Sequence, residues 1–253
     1  MKSWLLPIAR AIDGRPTPLD VFFRDDDGGW ADGELTTLLD LCETCGAPID
    51  VALIPFAVGN ALTSALTRRL SRGAAIGLHQ HGFMHRNHEP EGRPCEFGPS
   101  RSISAQHADV AWGRRLLLWR FGPALDSIFT PPWNRCTPAT ASCLVANGIR
   151  AISRDRSAGA LNCEGLVECP IDIDWFRREK GVRLSRDAWT RRVAAAIATA
   201  AAPLGFMLHH AQMGADDFEA LAGLLYLFTD SDRVRLLRMR EAVRTLHTAE
   251  CLA

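Results

Sequence analysis

Four of the chain's eight histidines fall within ten residues, at His79, His81, His85 and His88. Imidazole is the commonest metal ligand in proteins, and two of them at i, i+4, as at His81 and His85, face one site if the chain enters a helical turn. A second concentration of chemistry-bearing groups lies upstream, where Asp25, Asp26 and Asp27 precede Gly28 and Gly29. Three consecutive carboxylates repel one another and lose hydration on burial, so a structural core gains nothing from them, whereas a cation reverses that balance. The plainer alternative is a solvated loop or a helix start before Trp30. Two His and one Asp form a ligand set suited to zinc or a neighbouring first-row ion, with positions left open for water and substrate. His79-Gln80-His81 is also a His-x-His pair, and in that reading His79 replaces His85 as ligand. Farther along, Pro131 and Pro132 hold the backbone extended and present Trp133 as an aromatic platform, with Arg135 as a nearby cation. The segments Asp172-Ile173-Asp174-Trp175 and Met207-Leu208-His209-His210 each end an apolar run in polar groups.

Such groups need a frame that gathers them. Short runs rich in β-formers alternate with longer amphipathic stretches, the pattern of βα units around a parallel sheet. The strands are expected at Val21 to Asp26, Ile49 to Pro55, Ala75 to His81, Ser127 to Pro131, Ile149 to Arg154, Leu166 to Asp172 and Gly205 to His210. Helical patterns cover Glu34 to Cys45, Ala61 to Ser71, Ala105 to Trp119, Pro138 to Asn147, Asp187 to Ala201, Phe218 to Thr229 and Arg233 to Leu246. Cys45-Gly46 and Asn147-Gly148 supply helix stops. The polar motifs cluster at the C-terminal ends of the expected strands, where parallel barrels carry their active sites. Arg86 to Ser102 has no periodicity; a loop of that length in a compact domain is usually functional or disordered. With His88, Glu89, Arg93 and Glu96 it is expected to form a lid.

Composition narrows the function classes. Hydrophobic residues at 47% and charged residues at 23% match an ordinary globular chain, and residues 1–253 are expected to form one domain. Twenty-nine Lys plus Arg balance twenty-nine Asp plus Glu. No overall field favours nucleic acid or anionic lipid. The apolar stretch from Trp4 to Ile8, interrupted by Pro7, is too short for a signal peptide, and no apolar run reaches membrane-span length, so a cytoplasmic location is expected. The eight Cys lack framework spacing and read as free thiols, with the Cys42/Cys45 pair on a buried helix face. Nothing addresses oligomeric state.

In chain order these motifs resemble the polysaccharide-deacetylase superfamily, also called the NodB-homology or carbohydrate esterase family 4 group, from about Phe22 to His210. The resemblance implies an α/β fold of the irregular (β/α)7 barrel type shared by glycoside hydrolases and deacetylases. It implies Asp26 as general base and Asp27, His81 and His85 as ligands of one divalent metal, zinc first and cobalt, nickel or manganese as alternatives. Pro131-Pro132-Trp133 looks like the groove-wall motif, Asp174-Trp175 like the fourth motif and Met207-Leu208-His209 like the fifth, which supplies the general acid. Trp133, Arg135, Asp174 and Trp175 are the implied substrate contacts. There are departures. The extra Asp leaves a second register open, with Asp25 as base and Asp26 as ligand, although Gly28 directly after Asp27 favours the first. Thr130 stands where the third motif carries Arg, so Arg24 or Arg135 must contact the catalytic acid, and His210 as well as His209 satisfies the fifth motif. The implied activity is metal-dependent hydrolysis of an acetyl group from an N-acetylated sugar. In a cytoplasmic enzyme that sugar is soluble or lipid-linked instead of an exported polymer. The competing readings are a barrel metallohydrolase of the amidohydrolase type and a non-catalytic carbohydrate-binding relative.

Overall fold

The computed structural model describes residues 2–252, with side chains over 2–249. Its strands are β1 (Leu19–Gly28), β2 (Ile49–Leu53), β3 (Ile76–His81), β4 (Leu125–Thr130), β5 (Ala151–Ile152), β6 (Val167–Glu168), β7 (Ile173–Asp174), a hairpin of β8 (Arg178–Glu179) and β9 (Val182–Arg183), β10 (Leu204–Leu208) and β11 (Val234–Leu237). The helices are α1 (Leu6–Asp13), α2 (Asp32–Cys45), α3 (Asn60–Ser71), α4 (Ile103–Phe121), α5 (Pro138–Ala146), α6 (Arg186–Thr199), α7 (Ala215–Thr229) and α8 (Met239–Leu252). Among the described residues the main sheet runs β6-β5-β4-β3-β2-β1-β10-β7, with every pairing parallel and β11 added beside β1.

The two ends of that order belong to one stretch of chain. Val167, Cys169 and Ile171 donate to carbonyls of Arg150, Ile152 and Arg154 on the β5 side, whereas Asp172 and Trp175 donate to Gly205 and Met207 on the β10 side. The sheet therefore curls, and this stretch links its edges. Leu166 to Asp172 was expected as one strand; Pro170, which has no N–H to offer β10, delays pairing on that side until Asp172.

Inward positions on the strands and one face of α8 form an apolar core of Phe22, Ile128, Ala151, Cys169, Ile171, Met207, Met239 and Ala242. Outward positions meet the helices in the larger core, where α2 contributes Leu35, Leu38, Leu39, Cys42 and Cys45 at helical spacing. Cys42 and Cys45 are free thiols on that buried face, and α2 ends at Gly46 with φ 66°. One expectation needs correction. Arg233 to Leu246 is not one helix: Val234–Leu237 pairs with the lower half of β1, which outruns β2, and α8 begins only at Met239. Trp4 to Ile8 belongs to a short 3-10 turn and to α1, because Pro7 sits in the first turn, where its missing N–H has no partner to lose. No helix among the described residues is long and apolar enough to cross a membrane.

Candidate active site

Strand alternation sends Phe22, Arg24 and Asp26 to the interior of the curl and Phe23 and Asp25 outward. Plain alternation would also turn Asp27 outward. Instead, between Asp25 and Gly28, β1 advances three residues while β2 advances two, from Val51 to Leu53. This bulge, with Asp27 in the left-handed region at φ 69°, re-aims its carboxylate into the mouth beside that of Asp26. His81 ends β3 facing inward, and the following turn, with His85 at φ 53°, brings the second imidazole round. Asp27 Oδ1 lies 3.2 Å from His81 Nε2 and 3.2 Å from His85 Nε2. One ligand atom from each of the three residues falls within 4.8 Å of the others.

The donor chemistry fits a cation. His81 Nδ1 is 2.9 Å from the Thr130 carbonyl oxygen, so this nitrogen carries the proton and donates it. A neutral His81 then turns the lone pair of Nε2 toward a carboxylate oxygen, and only a proton or a metal ion relieves that opposition. Burial pushes the Asp27 pKa up, but the hydrogen bond and charge of His81 outweigh it and hold the carboxyl well below its usual range. Burial, with the charge of His81 beside it, lowers His85 to about 4, leaving a neutral imidazole free to ligate. The ring of His85 is flanked by Trp30 at 4.8 Å and Trp133 at 4.4 Å between centroids. Trp133 and Asn134 both have positive φ, 55° and 58°, so four of the seven non-glycine positive-φ residues among those described line this mouth. Backbone strain concentrated in this way is a mark of functional sites.

Asp26 is buried behind the triad against Arg24. Arg24 Nε lies 2.8 Å from Oδ1, and Nη2 donates to Oδ2 at 2.8 Å. The same guanidinium donates to Ser153 Oγ at 2.8 Å and to Asn134 Oδ1 at 2.8 Å, so a fully buried cation has partners on β1, beyond β5 and in the Trp133 turn. Burial raises the Asp26 pKa, and the charges of Arg24, His81 and His209 together more than reverse it. Of the two cations that could replace the missing third-motif Arg, the one on the acid is thus Arg24. Arg135 donates to the Pro94 carbonyl and ties down a loop tip.

The paired histidines separate. His210 is fully buried; its Nδ1 is 2.6 Å from Asp25 Oδ2 and its Nε2 2.7 Å from the Trp30 carbonyl oxygen. With both ring nitrogens engaged, and a pKa carried against burial to about 9 by Asp25, it clamps β1 to the Trp30 turn and does not face the mouth. Asp25 is spent in that clamp, which leaves Asp26 and Asp27 as the carboxylates of the mouth. His209 is half-buried, with its Nδ1 buried and without a hydrogen-bond partner, and Phe176 stands at 6.5 Å. Asp174 shares its corner: burial raises the Asp174 pKa, while the Phe176 N–H and the charge of His209 lower it. His79 lies inside the curl at 2.9 Å from Thr130 Oγ1, outside the triad, and burial lowers it to about 3. Trp175 is no substrate platform. It is 2% exposed, packs against Trp189 and donates Nε1 to Asp217.

Residues 86–102 are not a free lid either. Cys95, Glu96, Phe97 and Gly98 are buried, and Phe97 packs on Phe129 at 5.3 Å. Glu96 accepts from the backbone N–H of Phe83 and Met84, so it holds the turn that carries His85. Trp30 and Asn134 are site residues that composition and spacing could not single out, and Glu96, expected as part of a lid, instead anchors the turn before His85; Arg24 was legible, two positions before Asp26 on the same strand face.

No family sequence model matches the chain, and no curated protein matches it. Solved structures do. A protein described as a polysaccharide deacetylase from Mycobacterium smegmatis aligns at TM-score 0.69 and 14% identity, covering 94% of this chain and 93% of its own. A family 4 acetyl xylan esterase from Clostridium thermocellum, solved with a cobalt ion, aligns at TM-score 0.57 and 15% identity over 88% of this chain and 90% of its own. A carbohydrate esterase family 4 pseudoenzyme from Bacillus anthracis aligns at TM-score 0.55 and 14% identity over 90% and 66%. The expected fold class is thereby met: the chain has the fold of the polysaccharide deacetylases and family 4 carbohydrate esterases.

Proposed function

We propose, from the premise of that shared fold, that this chain is a metal-dependent hydrolase that removes the acetyl group from an N-acetylated sugar. The observation that carries the reading is the convergence of Asp27, His81 and His85 beside a separately held carboxylate, Asp26. A divalent ion on the three ligands, zinc first among the candidates, would polarise the acyl carbonyl and acidify a water. Asp26, kept ionised by Arg24, takes the proton of the attacking water. Arg24 fixes the carboxylate so that one orientation faces the mouth, which is pre-organisation rather than proton transfer. His209 protonates the leaving amine from the opposite side, steadied by the charge of Asp174. Trp133, with Trp30 across the ring of His85, offers the faces on which a sugar ring stacks. Residues 1–253 act as one catalytic unit, in the cytoplasm.

A pseudoenzyme among the similar structures makes retention of the machinery the point to test. This chain keeps both acids, both triad histidines and an acid-side histidine, which favours a working enzyme. The amidohydrolase-type alternative needs His79 as ligand, and the bond from His79 to Thr130 gives no support to it. The experiment is acetate release from N-acetylglucosamine substrates by protein loaded with zinc, cobalt or manganese. Asp26→Asn should lower kcat by roughly 10²–10⁴-fold while metal content stays stoichiometric, and His81→Ala should lose both. Full activity in Asp26→Asn would remove Asp26 as the base.

A further inference from the structure

Helix α4 is apolar on both sides. Gln106, Val110, Gly113, Leu117 and Phe121 recur every three or four residues and face the protein, as in any helix laid on a core. The opposite side should then be polar. Instead it exposes Trp112 at 60% and Trp119 at 76%, two turns apart, with Leu118 beside them and Ile103 at the helix start. The two indoles meet guanidinium groups of their own helix, Arg115 over Trp112 at 5.6 Å and Arg120 over Trp119 at 5.4 Å. The helix also touches the rim of the mouth. Gly113, next to Trp112, lies so close to Gln80 of β3 and to Pro55 beyond β2 that a Cβ would crowd both. Phe56, which follows Pro55, is 66% exposed and stands edge-on to Phe83.

The zero net charge of the chain hides an uneven distribution. No Asp or Glu occurs from Val51 to His88, and none from Val110 to Leu125. These segments contain α3 and most of α4, which Arg120 joins by donating to Asn60 and Thr63. Asp109, on the first half of α4, is held by Arg101, and Arg69 of α3 is taken by Asp40 and Glu43 of α2. Arg68, Arg72, Arg115 and Arg120 are left without an acid partner among the described residues. Exposed indoles and aliphatic side chains set among unpaired arginines suit a bilayer interface. There the indole rests at headgroup level, the apolar side chains reach the acyl boundary and the guanidinium groups meet anionic phosphates. A second copy of the chain fits less well, because twofold pairing sets the arginines of one face against those of the other with no acid to offset them. A nucleic acid could stack bases on the indoles but has no use for Leu118 and Ile103.

We propose that the outer face of α4, with α3 beside it, docks on an anionic lipid surface, with Trp112 and Trp119 entering the interface and Arg115 and Arg120 meeting its phosphates. Docking requires no turnover and stands apart from the hydrolase reading. The test is flotation of the full chain with vesicles of phosphatidylcholine alone and of phosphatidylcholine with roughly one part in three phosphatidylglycerol. The anionic vesicles should bind at least tenfold more tightly at low salt, and the advantage should shrink as salt is added. Trp112→Ser with Trp119→Ser should weaken binding to the anionic vesicles at least tenfold, while thermal unfolding and metal content stay as in the unaltered protein. Arg115→Gln with Arg120→Gln should reduce the preference for anionic lipid, and the corresponding lysine pair should restore most of it. Equal flotation with the two kinds of vesicle, or undiminished binding by the folded tryptophan variant, overturns the proposal. So does a single-stranded oligonucleotide that binds as tightly as the anionic vesicles and is lost with the same two tryptophans, an outcome that assigns the face to nucleic acid. A dimer in sedimentation equilibrium that the tryptophan substitutions dissolve assigns it to a second copy of the chain and overturns the proposal equally.

Discussion

At the scale of single residues, the pairing of Arg24 with Asp26 decides how the base behaves. A carboxylate with 2% exposure would normally be driven to its neutral form, and here the guanidinium two residues earlier on the same strand face, together with the charges of His81 and His209, reverses that. With Arg24 present, the Asp26 pKa lies below the ordinary carboxylate value, so the base is ionised across the neutral range and the acid limb of activity falls at low pH. Arg24→Gln keeps hydrogen-bonding capacity but removes the charge, burial then dominates, and the pKa rises. The acid limb of the kcat profile should move upward by one or more pH units, with the variant crippled more at pH 6 than at pH 8. A pH profile of kcat for both proteins, with metal content checked at each end, measures this. A uniform loss at all pH values would show that Arg24 acts on geometry alone.

At the scale of elements, the site depends on two departures from regular structure, the bulge at Asp27 and the left-handed turn from Gly82 to His85. Gly82 has φ 56°, and a Cβ there would overlap the Glu96 carboxylate and the Pro132 ring. Gly82→Ala should therefore displace the Glu96 anchor and with it His85. We expect a stability loss of about 2–4 kcal/mol by urea unfolding and a metal affinity at least tenfold weaker by competitive titration. Arg135→Ala, which removes only the bond to Pro94 at an exposed tip, should change neither by as much as a factor of three. Sequence made part of this visible. His81, His85 and the acids announce themselves because clustered imidazoles and carboxylates have few structural uses, and the alternating apolar runs locate β1, β2 and β3 closely. The anchoring role of Glu96 was hidden, because a segment rich in Pro and Gly has no period from which burial can be read. Trp175 was misassigned for a different reason. Its neighbour Asp174 faces the mouth, and adjacent strand residues point to opposite sides, so the indole had to lie against the helices.

At the scale of the whole molecule, the opposite end of the curl is closed by α8, and a single buried acid makes the join. Asp50 on β2 is fully buried and accepts from the Met239 N–H, the first residue of α8, whose side chain fills the floor beneath Phe22 and Met207. The expected continuous helix from Arg233 concealed this arrangement, since nothing in the local pattern shows that Val234–Leu237 must first pair with β1. Burial drives the Asp50 pKa well above its ordinary value despite the hydrogen bond from Met239. An acid whose folded pKa is raised above its unfolded one stays protonated in the folded chain while the unfolded chain ionises. Stability is therefore lost as pH climbs from about 4, the ordinary Asp value, toward the folded pKa. Asp50→Asn retains an oxygen to accept from Met239 and cannot ionise, so its stability lacks this slope. The difference in Tm between Asp50→Asn and the unaltered protein should shift steadily in favour of the variant between pH 5 and pH 8, in scans on metal-loaded protein so that the triad contributes equally to both. A difference in Tm that stays flat across that range would mean Asp50 is ionised in the folded state, held by more than the one backbone donor.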